Sequence, residues 1–155
     1  MLFDVSKYEV PSSNQIDIEK TTYNVGVFLK TYKSARNRVG EPSEPKTTTT
    51  FSLVPPTFSN QFNSTVENIV ISNEEAIEEF NHLHNLFKRG MAGIEHPFKP
   101  DVTIRRKKIF FNRYVKGESI EAISYQVNHH RNVVSEESIE ALVQFANALE
   151  LTIKK

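Results

Sequence analysis

Cysteine is absent from the 155 residues, which excludes a disulfide framework, a zinc–thiolate site and a thiol nucleophile. No apolar run approaches the roughly 20 residues that a bilayer-spanning helix needs. The first residues do not form a signal peptide, because Asp4 and Lys7 interrupt Leu2, Phe3 and Val5. These absences fit a soluble protein of a reducing cytoplasm. Glycine-rich phosphate loops, a nucleophile elbow and a His-Glu-x-x-His motif are also missing. The acids Glu74, Glu75, Glu78 and Glu79 read as a solvated helix flank, so no enzyme is expected. His82-x-His84 and His129-His130 lack third and fourth ligands at sensible spacing. Neither a metal nor another cofactor is therefore expected.

Net charge is absent too: the formal sum at pH 7 is zero. The distribution carries more information than the sum. Seven cations (Lys99, Arg105, Arg106, Lys107, Lys108, Arg113, Lys116) face one acid, Asp101, within that stretch. Six more lie between Lys20 and Lys46 against Glu41 and Glu44, while acids gather at Glu67–Glu79 and Glu136–Glu150. A neutral chain with segregated charge can offer a basic face to phosphate and stay soluble.

Alternation of period two is nearly missing, and helical periods dominate, which gives an all-α chain. Residues 1–40 read as an irregular arm, ended by Pro11-Ser12-Ser13, and a long helix from about Asp17 to Val39. That helix carries Val25, Phe28, Tyr32, Ala35 and Val39 at alternating spacings of three and four, a heptad seam. It closes at Gly40 and Pro42. The seam either packs within the chain or forms a homodimer. Residues 41–60, with Pro42, Pro45, Pro55 and Pro56 around a threonine run, read as an extended linker. Residues 61–98 hold a short helix over Phe62–Ile71, then a second begun by a capping box, Ser72-Asn73-Glu74-Glu75. The second buries Ala76, Ile77, Phe80, Leu83 and Phe87 and stops at Gly90.

Residues 99–155 carry the most informative pattern. A first helix buries Val102, Ile109, Phe110 and Tyr114 and closes on Arg113-Tyr114-Val115, with a break at Gly117. Ser119 or Glu118 then opens a short helix with Ile120, Ile123 and Val127 inward. A longer helix follows, with Val134, Ile139, Ala141, Leu142, Val143, Phe145, Ala146 and Leu149 on its apolar side. This order matches a helix-turn-helix DNA reader, in which the leading helix crosses the phosphate backbone and the last enters the major groove. Arg105, Arg106, Lys107, Lys108 and Arg113 are the expected phosphate contacts. Asn128-His129-His130-Arg131-Asn132 occupies the turn and the recognition-helix start. Arg131 and Asn132 are the candidates for base edges, since arginine pairs bidentately with guanine and asparagine with adenine. Two starts for the last helix are open. Either it begins near Arg131, or Ser135 caps it with Glu136 and Glu137 in its first turn, which would turn acids toward phosphate.

The Arg113–Ser124 run, with Arg113-Tyr114 at a helix end followed by Gly117, Ser119 and Ile123-Ser124, resembles the fourth region of sigma factors. The order of segments along residues 17–151 is similar to the ArpU-type regulators of phages and prophages in Gram-positive bacteria. The likeness rests on Phe28-Leu29-Lys30-Thr31-Tyr32-Lys33, the basic Arg36-Asn37-Arg38, the proline-containing linker before an acidic-start helix, and the ending Glu140–Leu149. The resemblance implies a DNA-binding regulator of late phage genes in the cytoplasm of a bacterial host. The chain departs from the pattern at the turn. Asn128, His129 and His130 stand where a glycine-like turn is expected, with acids following at 136 and 137. Two other readings share these features: a sigma-like adaptor that binds RNA polymerase through an acidic third helix, and a DNA-packaging protein of the small-terminase kind.

Overall fold

The computed structural model describes residues 2–40 and 67–155 and, for 67–73, the backbone alone. The expected linker at 41–60 and the beginning of the helix expected over Phe62–Ile71 lie outside the described residues. Regular structure among the described residues is helical. It comprises α1 (Val5–Tyr8), a 3-10 turn (Ser13–Gln15), α2 (Ile18–Arg38), α3 (Glu67–Ala92), α4 (Pro100–Phe110), a π-helical turn (Phe111–Val115), α5 (Ile120–Val127) and α6 (Arg131–Ala148). Strand pairing among those residues amounts to one isolated antiparallel bridge, Ile16 with Lys154. The expected all-α class is observed. No described helix is long and apolar enough to cross a membrane.

Met1–Gly26 with Gly90–Lys155 form one compact unit, and Val27–Arg89 form another. In the second unit the seam of α2 meets an aromatic cluster on α3. Tyr32 stacks on Phe87 at 4.8 Å and packs against Phe80 at 5.6 Å between ring centroids. The Tyr32 hydroxyl and Nδ1 of His84 share a 2.6 Å hydrogen bond, and both residues are buried. Burial pushes the Tyr32 hydroxyl above its ordinary pKa, with the nearby Arg36 partly opposing the shift. A hydrogen-bonded pair is how an apolar cluster accommodates two polar atoms without a large desolvation penalty. His82, two residues earlier, is exposed, so the two histidines occupy different faces as their spacing requires. Val25, Tyr32, Ala35 and Val39 are buried within the chain. The seam is therefore packed within the chain.

Two boundaries of α3 differ from expectation. Ser72 does not cap a new helix, because α3 runs unbroken from Glu67 to Ala92. No glycine or proline interrupts residues 67–89, so the backbone keeps its ladder through the capping signature. Gly90 does not end the helix either. It is the point where α3 approaches α6 so closely that a Cβ would overlap the Phe145 ring. The turn comes at Gly93, where the amides of Gly93 and Ile94 donate to the carbonyls of Gly90 and Met91.

The first unit is closed by its two ends. Asp17 N donates to Ile153 O at 2.7 Å, Lys155 N to Gln15 O, and Ile153 N to the Thr21 hydroxyl. The arm contains two elements rather than none. One-turn α1 is capped by Asp4, and the 3-10 turn is held by a Ser12–Gln15 capping box.

Phe145 is fully buried and stacked on Phe110 at 4.5 Å, so it cannot yield to a new methyl group. Gly90→Ala should therefore lower stability by about 1–3 kcal/mol through overpacking, despite alanine's better helix propensity. Gly26→Ala, with open space at the same depth of α2, should instead raise stability by roughly 0.5–1 kcal/mol. Urea denaturation of the two variants gives the test, and a stable Gly90→Ala would contradict the close approach.

Candidate nucleic-acid interface

Helices α4, α5 and α6 share a small core of Ile109, Ile123 and Val134, with Ile120 and Val127 packed against it. The chain reaches it through a π-helical turn in which Lys116 N donates to Phe111 O, five residues back. The extra residue in that turn lets Phe110, Phe111, Asn112 and Val115 all be buried. Asn112 uses its burial well: its amide donates to Gln126 on α5 at 2.7 Å, and its carbonyl accepts from Glu118 N. Gly117, at φ +76°, makes the break that the sequence marked. Ser119 then caps α5 by accepting from Ala122 N at 3.1 Å.

Helix α5 ends at Asn128, which adopts the left-handed conformation at φ 55°, ψ 44°. Asparagine tolerates that region better than most residues, and so it serves where a glycine was expected. Only Asn128, His129 and His130 separate α5 from α6. His130 caps α6, its Nδ1 accepting from Asn132 N at 3.1 Å. Of the two starts left open by the sequence, α6 uses the one at Arg131. Ser135, Glu136 and Glu137 stand in its second turn and cap nothing.

Within the body of that helix, Glu137 makes an ion pair the sequence did not reveal. Arg105 on α4 grips Glu137 on α6 with both arms, Nε to Oε2 at 2.8 Å and NH2 to Oε1 at 2.5 Å. The side chains are 20% and 12% exposed, so the pair is largely withdrawn from water. The hydrogen bonds to Glu137 raise the Arg105 guanidinium above arginine's usual pKa. A third nitrogen of Arg105 lies 3.1 Å from Nε2 of His129. Because a guanidinium only donates, that imidazole nitrogen accepts. One arginine thus ties the leading helix to the last helix and to the turn.

Two other expected phosphate contacts also have internal partners. Arg106 donates to the carbonyl of Glu95 at 3.0 Å and to Gln144, itself hydrogen-bonded to Glu95 at both ends of its amide. Arg113 donates to the Ser138 hydroxyl and lies over the Tyr114 ring at 5.3 Å. Burial raises the Tyr114 hydroxyl above its ordinary pKa, and that hydroxyl donates to Ser138 O. Arg105, Arg106 and Arg113 are thus structural cations rather than free ones.

Lys107 and Lys108 remain half-exposed, with no ion pair among the described residues. Lys108 stands one turn beyond Arg105, on the flank that reaches the turn. Lys107 lies on the opposite flank, beyond exposed Ile104. His130, Arg131 and Asn132 are exposed together at the start of α6, and His129 is half-exposed beside them. Two neighbours escaped the sequence reading. Tyr125, 75% exposed, lies on α5 opposite Ile123. Its signal was present, since an aromatic off the buried stripe of a short helix is unusual. Glu136 is exposed on α6, whereas Glu137, its neighbour, is neutralised by Arg105.

No family model matches the chain, and no solved structure matches it. Among curated proteins it is similar to the uncharacterized phage-related protein Lin1259/Lin1739 of Listeria innocua. That match is 28% identical over 148 residues and spans 96% of this chain and 97% of the relative. It is also similar to Protein Gp66 of Listeria phage A118, at 23% identity over 146 residues, covering 94% and 96% of the two chains. Likeness over nearly the full length of both places the chain among phage and prophage proteins.

Removing one partner of the withdrawn ion pair strands the other. Glu137→Ala should destabilise the protein by about 3 kcal/mol, the low end for a buried pair because some exposure remains. Arg105→Met combined with Glu137→Leu should recover most of that loss. Thermal or urea unfolding of the two variants would show it. Equal losses in the single and double variants would mean that the pair is not what joins α4 to α6.

Proposed function

We propose that this chain is a DNA-binding transcriptional regulator of phage or prophage genes, acting in the cytoplasm of its bacterial host. In this reading α4–α6 work as a helix-turn-helix unit of the ArpU type, and α6 enters the major groove. The observation that carries the reading is the three-residue turn leading directly into Arg131. It leaves His130, Arg131 and Asn132 exposed together on the first turn of a helix pinned from behind. Recognition helices present their N-terminal residues to base edges in this way. Arg131 and Asn132 meet bases. Lys108, His130 and the Tyr125 hydroxyl meet phosphate on either side. Similarity to phage proteins along the whole chain supports the same setting.

A second reading is favoured by Glu136 and Glu140, which are exposed on α6 beyond Asn132. A sigma-like adaptor would offer those acids to a basic surface of RNA polymerase. The two readings separate cleanly in solution. A base-reading protein binds its site selectively and keeps much of that selectivity at moderate salt, whereas unselective contact disappears as salt rises.

The test is binding to promoter fragments from the phage region that encodes the chain, over a salt series. Arg131→Ala should weaken binding to the preferred fragment by about 1–3 kcal/mol, tenfold or more, and flatten the preference among fragments. Arg106→Ala, aimed at an internal contact, should leave the preference intact. Weak, unselective binding indifferent to Arg131 would overturn the reading and favour the adaptor.

A further inference from the structure

The arm ahead of α2 is apolar without being buried. Phe3 is 59% and Tyr8 64% exposed, and Leu2, Val5 and Val10 are exposed with them. No residue of α1 is buried. A single helical turn has too few internal hydrogen bonds to persist alone, because the nucleus costs more than it returns. Yet this turn is well specified. Asp4 caps it through the amide and hydroxyl of Ser6, Phe3 stacks on Tyr8 at 5.2 Å, and the Lys7 ammonium lies 5.7 Å from the Tyr8 ring. Such a turn is shaped to be covered.

The same unit carries a groove of about 450 Å³ lined by Asp17, Glu19, Lys20, Tyr23, Asn24 and Ile153. That volume lies within the roughly 300–1,000 Å³ of pockets that take a compact organic ligand, so a stacked aromatic pair fits. Its apolar walls, Tyr23 (72% exposed) and Ile153, are themselves uncovered. Charge complements the arm as well. Glu19 has no ion pair among the described residues and can meet Lys7, whereas Lys20 already lies 3.8 Å from the Asp17 carboxylate.

We propose that the arm of one chain docks in this groove on a second copy, the exchange being mutual, so that the protein is an arm-exchanged dimer. A second copy is the fitting occupant because each chain has one arm and one groove of matching character. Mutual exchange closes with two-fold symmetry and leaves neither unfilled. Docking within one chain is opposed by the spacer. Glu9 and Ser12 are extended, at ψ 133° and 155°, and Val10 is held extended by Pro11. Beyond it, Ile16 and Asp17 are pinned to the C-terminal segment. As folded, α1 has no buried residue and none of the arm lines its own groove. This inference stands independently of the DNA reading, since it concerns mass and not ligand.

The test uses light scattering on the full chain up to millimolar concentration. The wild type should show twice the chain mass. Tyr8→Ser and Tyr23→Ser, both at exposed positions, should return it to the single mass with unchanged helicity. Lys7→Glu or Glu19→Lys alone should weaken the dimer, and the two together should restore it. Because the chain has no cysteine, Tyr8→Cys and Tyr23→Cys variants mixed and oxidised should yield a disulfide-linked pair of one of each. A wild type that stays at single mass would overturn the proposal. So would a chain carrying both cysteines that closes its disulfide internally, or a dimer indifferent to Tyr8 and Tyr23.

Discussion

The geometry of the C-terminal unit depends on one ion pair, Arg105 with Glu137. Ile109, Ile123 and Val134 supply the apolar contact among α4, α5 and α6, but apolar packing is not directional. The bidentate grip is directional. It fixes the rotation of α6 about its axis, because Glu137 must face α4. Arg131 and Asn132, six and five residues earlier, are held exposed at the very start of that helix, ahead of its buried stripe. The additional contact of Arg105 with His129 fixes the turn at the same moment. Breaking this group would free α6 to rotate and would blur whatever its first turn recognises.

The pair also answers the objection that acids near the recognition surface would repel phosphate. Glu137 is neutralised from behind and withdrawn, which leaves Glu136 as the nearest outward carboxylate. The same economy shortens the list of cations available to a polyanion. Arg105, Arg106 and Arg113 all have partners inside the unit, and the cations left outward on α4 are Lys107 and Lys108, beside the residues at the start of α6. With net charge zero and few outward cations on α4–α6, one copy of this unit would hold few phosphates. Doubling the contacts by pairing two copies is the usual remedy, since paired half-sites multiply modest affinities.

Much of the fold was legible because local chemistry decided it. Helix α2 followed from its seam, and α5 from Ser119 with Ile120, Ile123 and Val127. The break at Gly117 was read from a residue that alone adopts positive φ without strain. The departures have two causes: a local signal with no breaker beside it, and contacts distant in sequence that overrode local signals. Ser72-Asn73-Glu74-Glu75 has the form of a cap, but no breaker precedes it and the helix runs through. Gly90 has the form of a stop, but Phe145 requires a residue without a side chain there. Ser135-Glu136-Glu137 also has the form of a cap, yet Arg105, 32 positions from Glu137, draws it into the body of α6. Of the site, segment order brought Arg131 and Asn132 to the neighbourhood of the last helix but left two starts open, and the structure takes the one at Arg131. The inward turn of the three arginines was not readable, since a cation run looks the same whether it meets solvent or a buried carboxylate.

The central claim is that a rigidly held α6 presents its first turn to duplex DNA. Amide chemical-shift mapping of the isotopically labelled chain, titrated with its preferred promoter duplex at moderate salt, tests it most directly. The account expects the largest shifts at His130, Arg131 and Asn132, smaller ones near Tyr125 and Lys108, and little change around Arg106 and Gln144. Shifts that avoid the start of α6, or that spread evenly over exposed lysines and vanish with added salt, would contradict it.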